Sequence, residues 1–208
     1  MKKLLLASNG GFLFEHGYDL IGIPRSEIKV GWVTTASKGV PNHAYLERHR
    51  AAMAQGRINF TEADIESKTL DELRDFFKDK NVIHMEGGNT FYLLKAIRKI
   101  GFDTLIKELI DREVVYVGTS AGAYVACPTI EMATWGPNVK DMCGLNDLNA
   151  LNLVPFLMKV HYTDDVKELI TEKIKQCKYP VRVLRDGQGI LVEDDVNKFV
   201  GMGEEVTI

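Results

Sequence analysis

A serine flanked by glycines stands at the end of an apolar run. Residues 114–123 read Val-Val-Tyr-Val-Gly-Thr-Ser-Ala-Gly-Ala, with Ser120 between Gly118 and Gly122. A Gly-x-Ser-x-Gly sequence that joins a strand to a helix is typical of a nucleophile elbow, because its tight turn needs small residues and exposes the serine hydroxyl. The following helix directs free N–H groups to the same point, so Ala121 is a candidate oxyanion donor. The alternative is a glycine turn that only packs the strand against the helix or binds an anion.

A serine hydroxyl needs a base before it can act as a nucleophile. Of the five histidines, only His161 follows Ser120. It comes after the apolar run 153–160 and before Tyr162-Thr163-Asp164-Asp165, which predicts a strand end that leads into a helix, at the sheet edge where Ser120 also emerges. His84 alternates with apolar residues on a strand and is interpreted as a core histidine. The remaining histidines are predicted to be solvated, and their spacing indicates no metal site: His16, His43 and His49.

The base in turn needs an acid that holds its tautomer. Asp186 lies just past the apolar run 181–184 and beside Gly187, and it is the acid that we predict. An Asp-Gly pair that merely forms a turn is the alternative. Asp141 and Asp147 are rivals, since they would give the order Ser, Asp, His of α/β-hydrolases. Against them, 208 residues with so early a nucleophile leave little chain for that fold.

A second glycine turn follows another apolar strand, at residues 85–91, Met-Glu-Gly-Gly-Asn-Thr-Phe. Two glycines permit a backbone path that points an N–H outward, so Gly88 is the predicted second oxyanion donor. Asn89 and Thr90 are predicted to offer polar groups to a bound substrate. Helix capping by either residue is the alternative, and both interpretations can hold together.

Short β-branched runs alternate with amphipathic stretches along the chain, which is typical of parallel strands joined by helices. We therefore predict an α/β fold with a mostly parallel sheet and helices on both faces. Apolar residues recur at helical spacing in three stretches, 70–77, 102–110 and 166–177, and a further helix is predicted to begin near Asn89. The predicted strands are Lys3–Ala7, Lys29–Thr34, Arg57–Ala63, Val82–Met85, Val114–Val117, Val181–Leu184 and Gly189–Val192.

Two segments depart from this alternation. The stretch from Cys127 to Pro155, which includes Trp135-Gly136-Pro137-Asn138, is predicted to be an irregular excursion that re-enters the sheet. The C-terminal residues, Phe199–Ile208, are predicted to form an antiparallel hairpin at the sheet edge. No linker or repeat divides the chain, so residues 1–208 are predicted to form a single catalytic domain.

Composition limits the function classes. The chain has 26 Lys plus Arg against 29 Asp plus Glu, and its short basic runs lack interleaved aromatic residues, so no nucleic-acid partner is expected. No stretch reaches the ~20 apolar residues that cross a bilayer. Three widely spaced cysteines predict neither a disulfide framework nor a zinc knuckle, and they favour a reducing cytoplasm. A homodimer is left open.

Several of these motifs, taken in order, resemble the peptidase E (α-aspartyl dipeptidase) family of serine peptidases, whose members include cyanophycinases. The matching segments are 87–91 (Gly-Gly-Asn-Thr-Phe), 119–123 (Thr-Ser-Ala-Gly-Ala), 126–130 (Ala-Cys-Pro-Thr-Ile), 152–155 (Asn-Leu-Val-Pro) and His161-Tyr162. The resemblance implies a class I glutamine amidotransferase-like fold, with serine replacing the elbow cysteine. It also implies a Ser-His-acid triad, which carries onto Ser120, His161 and Asp186.

The sequence departs from the family at two points. The family acid is typically a glutamate before glycine, whereas this chain has Asp186 before Gly187. The aspartyl dipeptidases have a longer segment after the histidine, with an arginine for the substrate's aspartyl carboxylate, and this chain lacks it. We therefore predict a serine peptidase for short peptides, with Asp-X dipeptides as one substrate class and no cofactor. An esterase or amidase with the same triad, or a non-catalytic binding relative, remains the alternative.

Overall fold

A computed structural model gives the fold of residues 1–136 and 139–208. Its nine strands are β1 (Lys3–Ala7), β2 (Lys29–Val33), β3 (Asn59–Ala63), β4 (Val82–Met85), β5 (Val115–Thr119), β6 (Leu157–Lys159), β7 (Val181–Val183), β8 (Gln188–Glu193) and β9 (Val196–Gly201). The α-helices are α1 (Gly10–Phe12), α2 (Tyr18–Leu20), α3 (Ala44–Gln55), α4 (Leu70–Phe77), α5 (Thr90–Ile100), α6 (Phe102–Asp111), α7 (Ala121–Ala126) and α8 (Lys167–Lys175).

Seven strands form the central sheet, in the order β3-β2-β4-β5-β1-β8-β9. The first five of this order run parallel, and β8 and β9 are antiparallel to their neighbours. The strand that leads to Ser120, β5, therefore lies between β4 and β1. Because parallel strands end at the same sheet edge, the residues after these three strands lie side by side.

Helices cover both faces of the sheet. One apolar cluster packs α4, α5, α6 and α7 against one face, and a second packs the helical segment 10–20 and α3 against the other. The central strands are buried on both sides, which explains their continuous apolar runs. The predicted fold class is confirmed, as are the strands predicted along β1 to β5. None of the helices in the described part of the chain combines the length and apolarity that a bilayer crossing requires.

The C-terminal hairpin lies earlier in the chain than predicted. It is formed by β8 and β9 and closes through Asp194, whose φ is 51°, so the antiparallel edge begins near residue 188 rather than 199. Past Gly201 the β pairing is reduced to an isolated bridge between Val183 and Val206. The sequence prediction missed the turn because Asp194-Asp195 lacks the glycine that usually marks a tight hairpin.

The excursion after Cys127 is irregular, as predicted, but it does not return to the central sheet. β6 pairs in parallel with β7 in a separate two-stranded sheet. The strand that precedes His161 is therefore not a neighbour of β5, although His161 still reaches the same edge. Pro137 and Asn138, which belong to the predicted excursion, lie outside the described residues.

Candidate active site

Ser120 occupies a strained elbow directly after β5. Its φ of 49° and ψ of −105° lie outside the regions that non-glycine residues favour, at a cost on the order of 1–3 kcal/mol. The turn is tight because helix α7 lies against β4: a Cβ on Gly122 would come within 1.9 Å of the Met85 carbonyl oxygen. Glycine at the second position after the serine is thus a steric requirement, and the geometry is that of the predicted elbow.

Ser120, His161 and Asp186 lie in one hydrogen-bonded row. The Ser120 Oγ is 2.9 Å from His161 Nε2, and His161 Nδ1 is 2.6 Å from Asp186 Oδ1. Because a carboxylate only accepts, Nδ1 donates to Asp186, and Nε2 is left to accept the serine proton. The hydrogen bond from His161 is the main reason that the pKa of Asp186 lies below its usual value, and it outweighs the opposing effect of partial burial.

The residues after β1 support this row, and sequence reasoning missed them. The Ser8 hydroxyl donates to Asp186 Oδ1 at 2.9 Å and accepts the His161 backbone N–H at 3.0 Å. Asn9 Oδ1 accepts the N–H of Gly187 at 3.4 Å. The available signal was position: two polar residues directly follow a buried strand at the edge where Ser120 emerges.

The rival acids lie elsewhere. Asp147 pairs with Arg98 at 3.0 Å, and the Asp141 backbone carbonyl accepts from Asn89 Nδ2 at 2.9 Å. Asn89 is itself buried, and its Oδ1 caps α5 by accepting the backbone N–H groups of residues 91 and 92. Thr90 lines a cleft beside Ser120. The structure therefore brings Thr90 to the cleft and gives Asn89 the contacts of a helix cap.

The two predicted oxyanion donors lie near Ser120: Ala121 directly follows it in the chain, and Gly88 lines the same cleft. No group in residues 1–136 or 139–208 accepts a backbone hydrogen bond from the N–H of Gly88 or of Ala121. Gly88 has φ 147°, and a Cβ there would come within 2.3 Å of the Ala36 carbonyl oxygen, so only glycine fits this path. Gly87 places its chain segment close to the serine, since a Cβ on it would lie 3.3 Å from the Ser120 Cβ.

Two clefts meet at Ser120 and His161. The larger, of about 610 Å³, has the basic residues Arg48, His49 and Lys140 in its lining. The smaller, of about 340 Å³, is lined by aromatic and apolar side chains together with Lys140, Lys159 and Asp165. The nucleophile thus has space on both sides for the two parts of a small substrate. Within the described residues, no group of three or more His, Cys, Asp or Glu side chains is arranged to hold a metal.

The prediction that His49 is solvated is wrong, whereas His84 is a core histidine as predicted. His49 Nδ1 lies 2.9 Å from Oε2 of the buried Glu86, and only 15% of the His49 side chain is exposed. Burial alone would raise the pKa of Glu86, but hydrogen bonds, led by that from His49, lower it to about 2. Burial lowers the pKa of His84 to about 4, so this imidazole is neutral at pH 7.

Acidification should destabilise the fold in two steps. The pKa of His84 falls from 6.5 to about 4 on folding, so the unfolded chain gains a proton first and stability is lost between these values. The pKa of Glu86 falls from 4.5 to about 2, so its contribution is present above pH 4.5 and is lost toward pH 2. Each step corresponds to about 3 kcal/mol. Urea unfolding at a series of pH values from 7 to 2 measures the free energy of unfolding. His84→Gln should flatten the step between pH 6.5 and 4, and Glu86→Gln should flatten the step below pH 4.5. A wild-type stability that stays constant from pH 7 to pH 3 would contradict the expectation.

Comparison with known proteins gives the family of this chain. The sequence profile of peptidase family S51 matches residues 4–200. The chain belongs to peptidase family S51. This S51 chain is a serine-type peptidase, and the predicted resemblance to peptidase E is confirmed. It is 31% identical over 198 residues to an uncharacterized peptidase of Pasteurella multocida, covering 94% of this chain and 95% of that one. It is 36% identical to peptidase E of Escherichia coli O1:K1 over 91 residues, which cover 44% of this chain and 38% of the relative.

Solved structures agree with the family. A Listeria monocytogenes protein that carries the provisional name peptidase E superposes on this S51 chain with a TM-score of 0.85 and 28% identity, covering 98% of this chain and all of that one. A peptidase from an acI-B1 actinobacterium has a TM-score of 0.64 at 14% identity over 100% of this chain and 97% of that one, a likeness of fold alone.

Proposed function

We propose that this S51 peptidase hydrolyses short peptides through an acyl-enzyme formed on Ser120, with His161 as base and Asp186 as the acid that orients it. The observation that carries the proposal is the continuous row of hydrogen bonds from Asp186 through His161 to the Ser120 hydroxyl. The row ends where two clefts meet, so a scissile bond can lie across the serine.

The reaction proceeds in two halves. His161 Nε2 takes the proton of Ser120 as Oγ attacks the scissile carbonyl carbon, and the resulting imidazolium is stabilised by Asp186. When the carbon–nitrogen bond breaks, His161 returns that proton to the leaving amine. Water then loses a proton to His161 and attacks the ester, and Ser120 leaves with that proton restored. The N–H groups of Gly88 and Ala121 hold the carbonyl oxygen while it carries negative charge.

The proposal is tested by comparing substrates on the same enzyme. Asp-X dipeptides, other dipeptides, longer peptides and simple esters are offered, and release of the amine from peptides or of the alcohol from esters is measured under steady-state and pre-steady-state conditions. Faster turnover of dipeptides than of longer peptides, with a burst of acyl-enzyme on activated esters, is the expected result. Turnover of esters without any peptide cleavage would move the assignment to an esterase.

An Asp-X preference requires a cation beside Ser120, and Lys159 is the residue that we propose for it. Lys159 lines the smaller cleft, burial lowers its pKa, and it pairs with no carboxylate among the described residues. Charged hydrogen bonds contribute about 1.5–3 kcal/mol, so Lys159→Met should raise the KM for Asp-X roughly 10- to 100-fold. The KM for dipeptides with a neutral first residue should change less than about twofold.

Two variants calibrate this measurement. Lys159→Arg keeps the charge and should retain most of the Asp-X affinity. Lys178→Met removes an exposed lysine that lies over Tyr179 and should leave the kinetics unchanged. Equal KM changes for acidic and neutral substrates in Lys159→Met would show that Lys159 only shapes the cleft.

A further inference from the structure

A buried carboxylate lies beneath the segments that carry both proposed oxyanion donors. Glu86, 1% exposed, accepts four hydrogen bonds. Its Oε1 accepts from the Gly87 N–H at 2.7 Å and from the Thr119 hydroxyl at 2.9 Å. Its Oε2 accepts from Trp32 Nε1 at 3.0 Å and from His49 Nδ1 at 2.9 Å. A carboxylate offers about four acceptor positions, so the acceptor capacity of Glu86 is filled.

The ionised carboxylate fixes the direction of every hydrogen bond behind it. Since Glu86 can only accept, Thr119 donates its proton to it, and the Thr119 oxygen is free to accept from His84 Nε2 at 3.2 Å. The neutral His84 then accepts at Nδ1 from the Tyr18 hydroxyl, 3.3 Å away. A single ordered chain of donors thus runs through the core from Tyr18 to Glu86, and Thr119, its last donor, is held between His84 and Glu86.

The two groups that donate to Glu86 Oε1 are next in sequence to residues of the proposed reaction site. Gly87 directly precedes Gly88, and Thr119 directly precedes Ser120 and its neighbour Ala121. We propose that Glu86 is a positioning residue for the oxyanion hole. Its carboxylate holds the turn that carries Gly88 at a fixed distance from the strand that leads to Ala121, and the hydrogen bond from His49 keeps the carboxylate in place. The inference rests on the proposed function, because it needs an oxyanion at Ser120.

His49 is the part of this network that can be reached from solvent. It lies in the lining of the larger cleft, on helix α3, between the rings of Phe14 and Tyr45 at centroid distances of 4.8 and 5.6 Å. The other donors to Glu86 belong to the sheet or to the turn itself. Glu86 lines the same cleft, so removing the His49 ring leaves a space beside the carboxylate that a free imidazole can enter from that cleft.

The test uses three variants and one small molecule. Glu86→Gln keeps the shape of the side chain but directs an amide N–H toward one of the four donors. His49→Phe keeps an aromatic ring without a hydrogen-bond donor, and His49→Ala leaves the space of the ring empty. A misplacement of about 1 Å costs on the order of 100-fold, so kcat should fall roughly 10- to 100-fold in each, with KM changed by less than about twofold. Imidazole should restore part of kcat in His49→Ala and none in His49→Phe. The second-order rate of labelling by a fluorophosphonate should fall in parallel.

The control breaks a carboxylate contact that touches neither the clefts nor the Glu86 network. Arg74 on α4 forms a two-point ion pair with Glu108 on α6, at 3.3 and 3.1 Å. Glu108→Gln should lower the melting temperature slightly and leave kcat and the labelling rate unchanged. Because a less stable variant can lose activity simply by being less folded, kcat is normalised to the folded fraction measured by circular dichroism. A variant that loses only stability then behaves like this control.

The outcomes separate this inference from the function on which it rests. A wild-type enzyme that cleaves peptides, together with Glu86→Gln and His49→Phe variants that keep its kcat and labelling rate, overturns the positioning role alone. Lowered kcat in His49→Ala that imidazole does not restore overturns the part assigned to His49. A wild-type enzyme that is neither labelled nor active overturns the proposed function and this inference with it.

Discussion

Ser120→Ala should abolish labelling of the protein by a fluorophosphonate probe. The probe phosphonylates a serine only when a base takes up its proton, and His161 Nε2 lies 2.9 Å from the Ser120 Oγ. His161→Ala should therefore slow the labelling by at least about 1000-fold, and each variant should lose on the order of 10⁴- to 10⁶-fold in peptide turnover, because residues that act as one unit fail together. Mass spectrometry of the intact protein and of its peptides locates the adduct and gives its rate.

Two surface variants act as controls for this measurement. Ser67, whose hydroxyl donates to the Asp64 carbonyl, and the exposed His16 are not among the residues that line the two clefts. Ser67→Ala and His16→Ala should be labelled at the wild-type rate and on Ser120. An adduct on another serine, or a His161→Ala variant that is labelled within tenfold of the wild-type rate, would contradict the assigned nucleophile and base.

The parts of this site that the sequence predicts are those that local chemistry specifies. The strand before Ser120 and the small residues around it follow from steric rules of the elbow, and a Cβ on Gly122 has no room beside Met85. His161 and Asp186 could be placed because each follows a short apolar run, and parallel strands deliver such residues to one edge. The strands before both residues, β6 and β7, form a small separate sheet, however, which no local pattern indicates.

The residues that sequence reasoning missed depend on contacts between distant segments. Ser8 reaches Asp186 across 178 positions of the chain, and His49 reaches Glu86 across 37. A signal for His49 was nonetheless present. Leu46 and Met53 are the buried residues of α3, and a residue three after the first and four before the second shares their helix face. A histidine on the apolar face of a helix, opposite an acid at a strand end, is a pattern that predicts a buried pair.

Two different carboxylates, Asp186 and Glu86, organise the residues around Ser120. The acid side, at Asp186, is held by Ser8 and Asn9 at the end of β1, and it is open to solvent, with 56% of the Asp186 side chain exposed. The proposed oxyanion side is held by Glu86, of which only 1% is exposed. Solvent screens exposed charges far more than buried ones. The activity lost on neutralising Asp186 should therefore depend more on ionic strength than the activity lost on neutralising Glu86.

Asp186→Asn should lower kcat about 1000-fold while Ser120 is still labelled slowly. Neutral asparagine no longer stabilises the imidazolium, and it can hold the ring in the wrong tautomer; loss of a buried triad aspartate costs roughly 10⁴-fold, and the exposure of Asp186 places its expected cost below that value. Asp186→Glu keeps the charge on a longer arm and should lose only about tenfold, since its carboxylate can still reach Nδ1 with some misplacement. Because the hydrogen bond from His161 holds the pKa of Asp186 below its usual range, the wild-type residue is ionised near neutral pH, so a loss of wild-type activity there reports another group. Measurement of kcat against pH for the three enzymes checks this: equal kcat in wild type and Asp186→Asn would remove Asp186 from the mechanism, whereas a Glu variant as inactive as the Asn variant would show that the position of the carboxylate, and not its charge alone, is what His161 requires.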